Sequence, residues 1–137
     1  MLILDSIRRV FDIELDRLCD ELDYFDIGII VYTDYSSDVL SLVEDSVKKR
    51  CCNTDSKIAV CDSAYCASAQ WPAVIVLHEV WGDSEEWDLT TLYLALSRAR
   101  VYCSVFIYPE EGRTLDDTPY MLPLLDKLRN IARIIRY

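Results

Sequence analysis

Two arginines one residue apart, Arg98 and Arg100, stand where a helical pattern gives way to an apolar run, in Leu89 to Pro109, LTTLYLALSRARVYCSVFIYP. A guanidinium holds its charge at every physiological pH and presents its donors as a rigid fork, so at the exit of a helix it is placed for a charge-assisted contact. The spacing of Leu92, Ala95, Leu96 and Ala99 predicts one apolar face turned toward a sheet, with Tyr93 and Ser97 nearer its edge and Arg98 projecting from the last turn.

The other residues with chemistry to offer are less well placed. His78 is the only histidine and stands beside Glu79 at the end of an apolar run, with Asp62 and Ser63 ending the run before it. No serine lies in a nucleophile elbow, so His78 reads as a surface or satisfied residue before it reads as a general base. Asp83, Glu85, Glu86 and Asp88 crowd one polar stretch without the ligand alternation of a calcium loop, which predicts a solvated acidic turn. Six cysteines (Cys19, Cys51, Cys52, Cys61, Cys66 and Cys103) contain no C-x-x-C pair. They read as reduced thiols and small buried hydrophobes, and no metal site is expected. The three glycines, Gly28, Gly82 and Gly112, belong to neither G-x-x-x-x-G-K-[ST] nor G-x-G-x-x-G, so the chain has no phosphate cradle of its own.

With 137 residues and 52% hydrophobic content, residues 1–137 are expected to form a single domain with a substantial core. The longest apolar runs, Ile27 to Tyr32 and Ala73 to Leu77, fall far short of the roughly 18 residues of a membrane span. Asp5, Arg8, Arg9 and Asp12 interrupt the opening stretch, so no leader and no membrane contact are expected, and an intracellular location, cytoplasm or nucleus, follows. A net charge of −10, from 14 basic and 24 acidic residues, repels phosphate backbones and predicts poor nucleic-acid binding by the domain alone.

The elements that must position these residues are legible from periodicity. Residues 1–25 read as a leading helix, capped by Asp5 or Ser6, with Ile7, Val10, Phe11, Leu15, Leu18 and Leu22 as its stripe. Residues 26–109 form the core: a strand Asp26 to Tyr32, a helix with Val39, Leu40, Val43 and Val47 closing on Lys48, Lys49 and Arg50, then strands Lys57 to Cys61 and Ala73 to Leu77. The arginine-bearing helix and a strand Val101 to Tyr108 follow. Residues 110–137 read as a loop and a closing helix, Tyr120 to Ile135, with Pro123 in its first turn. Strands separated by helices predict an α/β fold, an open, mostly parallel sheet with helices on both faces. Ligands of such sheets bind beyond the carboxyl ends of the strands, here Tyr32 to Ser37, Asp62 to Gln70 and His78 to Asp88.

Three segments together give a more specific expectation. LYLALSRARVYCSVFIYP, Leu92 to Pro109, resembles the last signature motif of superfamily-one helicases of the UvrD/Rep type, approximately YVALTRAR followed by a strand. SAQWPAVIVL, Ser68 to Leu77, resembles that family's preceding motif, approximately GLEWPVVIL, at a compatible distance. IGIIVYTDYSSDVLSLVED, Ile27 to Asp45, is similar to the strand and helix that open the family's second RecA-like domain, and Schlafen-type helicase-like proteins of animals have a similar segment. The resemblance covers about Asp26 to Pro109 and implies a RecA-like, three-layer fold. It implies that Arg98 reaches the γ-phosphate of ATP, that Gln70, Ser97 and Arg100 lie near the nucleotide, and that Ser68, Trp71 and His78 lie toward nucleic acid. Ser68 and Gln70 stand where the family has glycine and glutamate, and Thr33 and Asp34 follow Tyr32 where the family often has arginine. The phosphate loop and magnesium carboxylate belong to a first RecA-like domain outside this sequence. ATP and Mg are therefore expected only together with that amino-terminal domain, in cis or trans, with no cofactor for the chain alone and nucleic acid only in the full motor.

Two functions compete on these grounds. One is the carboxyl-terminal half of an ATP-dependent motor, inactive alone, with Arg98 as an arginine finger. The other is a degenerate, non-catalytic interaction or regulatory module, in which Trp81 and Trp87, flanking the acidic stretch, anchor a protein partner. A free-standing hydrolase or transferase using His78 is a minor third.

Overall fold

The computed structural model describes residues 2–22, 26–32, 38–51, 57–62, 70–80, 85–109, 121–130 and 132–136. Helix α1 (Leu2–Asp16) continues into a π-helical turn, Arg17–Glu21. Then follow β1 (Asp26–Tyr32), α2 (Val39–Cys51), β2 (Lys57–Asp62), β3 (Trp71–Val80), α3 (Glu85–Leu96), β4 (Ala99–Pro109), α4 (Met121–Leu128) and β5 (Arg133–Arg136). The strands form one sheet in the order β2-β1-β3-β4-β5, and every neighbouring pair is parallel.

The layers follow from chirality. From β1 the chain steps outward to β2, and from β3 it steps the opposite way to β4 and β5. Right-handed crossovers taken in opposite directions place their helices on opposite faces. Accordingly α1 and α2 pack with Ile27, Ile29, Val31, Ile75 and Leu77, while α3 and α4 pack with Ile30, Val74, Val76, Val105 and Ile107. Alternate residues of β1 and β3 thus enter two separate cores, which is why their sequences show unbroken apolar runs instead of alternation. The fold is α/β, with an all-parallel sheet flanked by helices.

The expected closing helix over Tyr120 to Ile135 is corrected. α4 stops at Leu128, and Arg133–Arg136 pairs with Ser104 to Ile107 of β4 as a fifth strand. The β-branched pair Ile134 and Ile135 suits a strand, and the otherwise open edge of β4 supplies the backbone partners that a helix would have found within itself. Pro123 does stand in the first turn of α4, where a missing N–H costs nothing. Leu22, expected in the apolar stripe of α1, is 41% exposed, because the π-helical turn shifts the register of the last residues.

Trp71 opens β3 by lying across β1. A Cβ added to Gly28 would sit 2.3 Å from two carbons of the Trp71 ring, so this close approach requires glycine. Gly28→Ala is expected to destabilise the fold by about 1–3 kcal/mol, as overpacking does, read from the denaturant midpoint. Trp71→Leu in the same chain should recover part of that loss.

Candidate functional site

In a parallel α/β sheet the helices run back against the strands, so their carboxyl ends gather at the strands' amino edge. α3 closes there through Ser97 N–H to Tyr93 C=O (3.1 Å) and Arg98 N–H to Ala95 C=O (3.1 Å). The Trp71 N–H then donates to the Arg98 carbonyl at 2.9 Å, and Trp71 pairs with Ala99 in register. This joint brings Gln70, just ahead of β3, beside the exit of α3. Arg100 Nη2 reaches the Gln70 carbonyl at 3.5 Å. Ser97 Oγ donates to the Leu94 carbonyl (2.7 Å) and accepts from Arg98 Nε (3.2 Å) and Nη2 (2.9 Å). Gln70, Ser97 and Arg100 are exposed and Arg98 is half-buried.

All four residues expected near a nucleotide therefore share one edge, and its donors are N–H and O–H groups of the kind that suit phosphate oxygens. The surrounding charge is mixed. Of the 14 basic residues, ten (Arg17, Lys48, Lys49, Arg50, Lys57, Arg98, Arg100, Lys127, Arg129 and Arg133) close a helix or open a strand at this edge. Cations there complement the negative ends of the helix dipoles, and several are matched by carboxylates of the same edge: Arg17 and Arg133 bind Glu14, and Arg50 binds Asp16 and Asp20.

At the opposite end of the sheet, where a ligand crevice was expected, residues 33–37, 63–69 and 81–84 lie outside the described residues, and His78 is buried near the end of β3. The imidazole is fully buried, its Nε2 lies 2.7 Å from Thr91 Oγ1, and its ring lies 5.5 Å from that of Tyr32, its register partner on β1. Burial pushes its pKa down to about 4, so it is a neutral core residue. A buried imidazole reaches no substrate, which removes the grounds for a His78 hydrolase. Trp71 and His78, expected toward nucleic acid, stand at opposite ends of β3, and both are buried. Ser68 and Trp81 lie outside the described residues, as does the side chain of Trp87.

Because His78 is neutral when folded and takes a proton near pH 6.5 when unfolded, its contribution is complete above pH 6.5 and lost as pH falls toward about 4. Stability is expected to drop by about 3 kcal/mol across that window. His78→Gln, which can keep the bond to Thr91, should flatten that part of a pH series of urea melts.

A buried carboxylate was missed. Glu14 of α1, 1% exposed, accepts from Arg17 Nη2 (2.8 Å), Ser104 Oγ (2.8 Å) and Arg133 Nε (3.2 Å). Arg17 also contacts the Tyr102 hydroxyl and lies 5.2 Å from the centroid of that ring. Its bond to Glu14 raises the guanidinium pKa still further. The signal was present in the spacing: Ile7, Phe11, Glu14 and Leu18 fall on one helical face, so the acid sits inside the apolar stripe.

Among the described residues no group of three or more His, Cys, Asp or Glu is gathered to hold a metal ion. Cys19 and Cys61 are half-buried unbridged thiols, and burial pushes the Cys103 thiol up to about 12, which keeps it protonated and inert. No helix among the described residues is long and apolar enough to cross a membrane. No protein-family model and no curated protein matches the chain.

Proposed function

We propose that the chain is the second, RecA-like half of a UvrD-type helicase-like ATPase and supplies Arg98 to ATP held by a separate amino-terminal RecA-like domain. One observation carries the reading: Gln70, Ser97, Arg98 and Arg100, drawn from two motif-like segments, meet at one edge of the sheet through the Trp71–Arg98 backbone bond. The parallel sheet with helices on both faces is compatible with this ancestry.

In this mechanism the Arg98 guanidinium faces the transferred phosphoryl group and stabilises charge as it develops there. Ser97 orients it, Arg100 adds positive potential, and Gln70 lies toward the ribose. ATP and its Mg are bound by the other domain, and nucleic acid engages only the two halves together. The test is turnover by the two domains combined, with and without Arg98→Ala; equal rates would overturn the proposal.

A second reading, an interaction module that keeps the fold without the chemistry, is favoured by the exposed apolar residues Tyr93 and Leu94 on α3.

A further inference from the structure

A small cavity adjoins the edge that carries Arg98. Leu96, Ala99, Arg100, Val101, Tyr102 and Cys103 line a space of ≈ 240 Å³ at the start of β4. Its walls are mainly apolar, from Leu96, Ala99, Val101 and Cys103, and Arg100 is the one cation among its lining residues. Val101 is 75% exposed, so a ligand seated there removes apolar surface from water. β5 runs beside β4 only from Ser104 to Ile107, and among the described residues no strand flanks Ala99 to Val101 on that side. An open strand edge presents C=O and N–H groups outward.

We propose that this cavity holds the adenine base of the nucleotide whose terminal phosphate meets Arg98, so that ATP is gripped by the other domain at its phosphates and by β4 at its base. The inference rests on the nucleotide reading above and adds a contact to it. Size argues for a base alone: pockets for drug-sized ligands start at about 300 Å³, and ≈ 240 Å³ suits one ring system instead of a complete nucleotide. Aliphatic walls suit the faces of a purine, and the planar Arg100 guanidinium is a group that stacks on such a face. Adenine sets an amino donor beside a ring-nitrogen acceptor, the pair that the C=O and N–H groups of an open strand edge complement. The spacing agrees. Arg98 stands three residues before Val101, a reach of no more than about 10 Å of chain, which matches the span from terminal phosphate to base in an extended nucleoside triphosphate.

Titrating the 137-residue chain with adenosine, which has no phosphate, and following backbone amides by NMR tests the pocket apart from the motor. Shifts at Ala99, Arg100, Val101 and Cys103 are expected, saturating with a dissociation constant of about 1 mM. Cytidine, with one ring instead of two, should bind several-fold more weakly. Val101→Asp, at a side chain already exposed, should weaken adenosine binding by roughly tenfold with unchanged circular dichroism, because a carboxylate then borders the base. Ile13→Glu, on exposed α1 surface, should leave it alone. In the combined domains Val101→Asp should raise KM for ATP by roughly tenfold, whereas the effect of Arg98→Ala falls on turnover. An absence of shifts at these amides, shifts centred on another surface, or equal binding of cytidine would overturn the pocket. Turnover that falls with Arg98→Ala but ignores Val101→Asp would overturn the base contact and leave the arginine finger standing. Adenosine seated at Val101 in a chain whose Arg98→Ala variant turns over at the full rate would support the pocket and overturn the finger.

Discussion

Arg98→Ala, in the domain combined with its ATP-holding partner, is expected to lower turnover by roughly a thousand-fold or more, the effect of losing an arginine finger. At 1.36 kcal/mol per decade that is about 4 kcal/mol of transition-state stabilisation. The loss should fall on kcat, with KM for ATP little changed, because the guanidinium acts on charge that appears only as the phosphoryl group transfers. Arg98→Lys should recover little. It keeps a charge but loses the fork that Ser97 Oγ holds through Nε and Nη2. Structure is not the cause of the loss, since Arg98 ties β4 to β3 through its backbone carbonyl, which alanine retains. Folded protein with full turnover would remove Arg98 from the chemistry.

Physical causes separate what was legible in the chain from what was not. β1 and β3 declare themselves as short β-branched runs because each is covered on both faces, and α3 with β4 is readable because helical spacing stops at the arginines. β5 is hidden. Leu124, Leu128, Ile131 and Ile135 recur at helical spacing, and only the open edge of β4, a feature of the assembled sheet, decides for a strand. The Gly28–Trp71 contact and the Tyr32–His78–Thr91 cluster join residues distant in sequence, so no local pattern announces them. The site itself shows two signals in opposition. The general rule for open sheets pointed to the carboxyl ends of the strands, whose loops lie outside the described residues, whereas the motif resemblance pointed to residues that the fold gathers at the amino edge.

Glu14→Ala is the second large effect, with an expected loss of about 3 kcal/mol in urea unfolding. Breaking a buried ion pair by removing one partner costs about 3–5 kcal/mol when the remaining charge is stranded. Here the stranding is partial. The side chains of Arg17 and Arg133 are 22% and 52% exposed and can turn to water, which argues for the lower end of that range. Ser104 has no such escape: it is fully buried on β4, and its hydroxyl donates to Glu14 at 2.8 Å. An unsatisfied buried hydroxyl costs about 1–3 kcal/mol by itself. Ser104→Ala added to Glu14→Ala should therefore be nearly silent, although Ser104→Ala alone is costly, and this non-additivity identifies a shared bond. Glu14→Gln keeps an acceptor for Ser104 and for Arg17 and is expected to lose only about 1 kcal/mol. Additive losses from the Glu14 and Ser104 substitutions would mean that the carboxylate supports the fold by packing alone. Coupling between them would show that one buried acid ties α1 to β4 and, through Arg133, to the fifth strand.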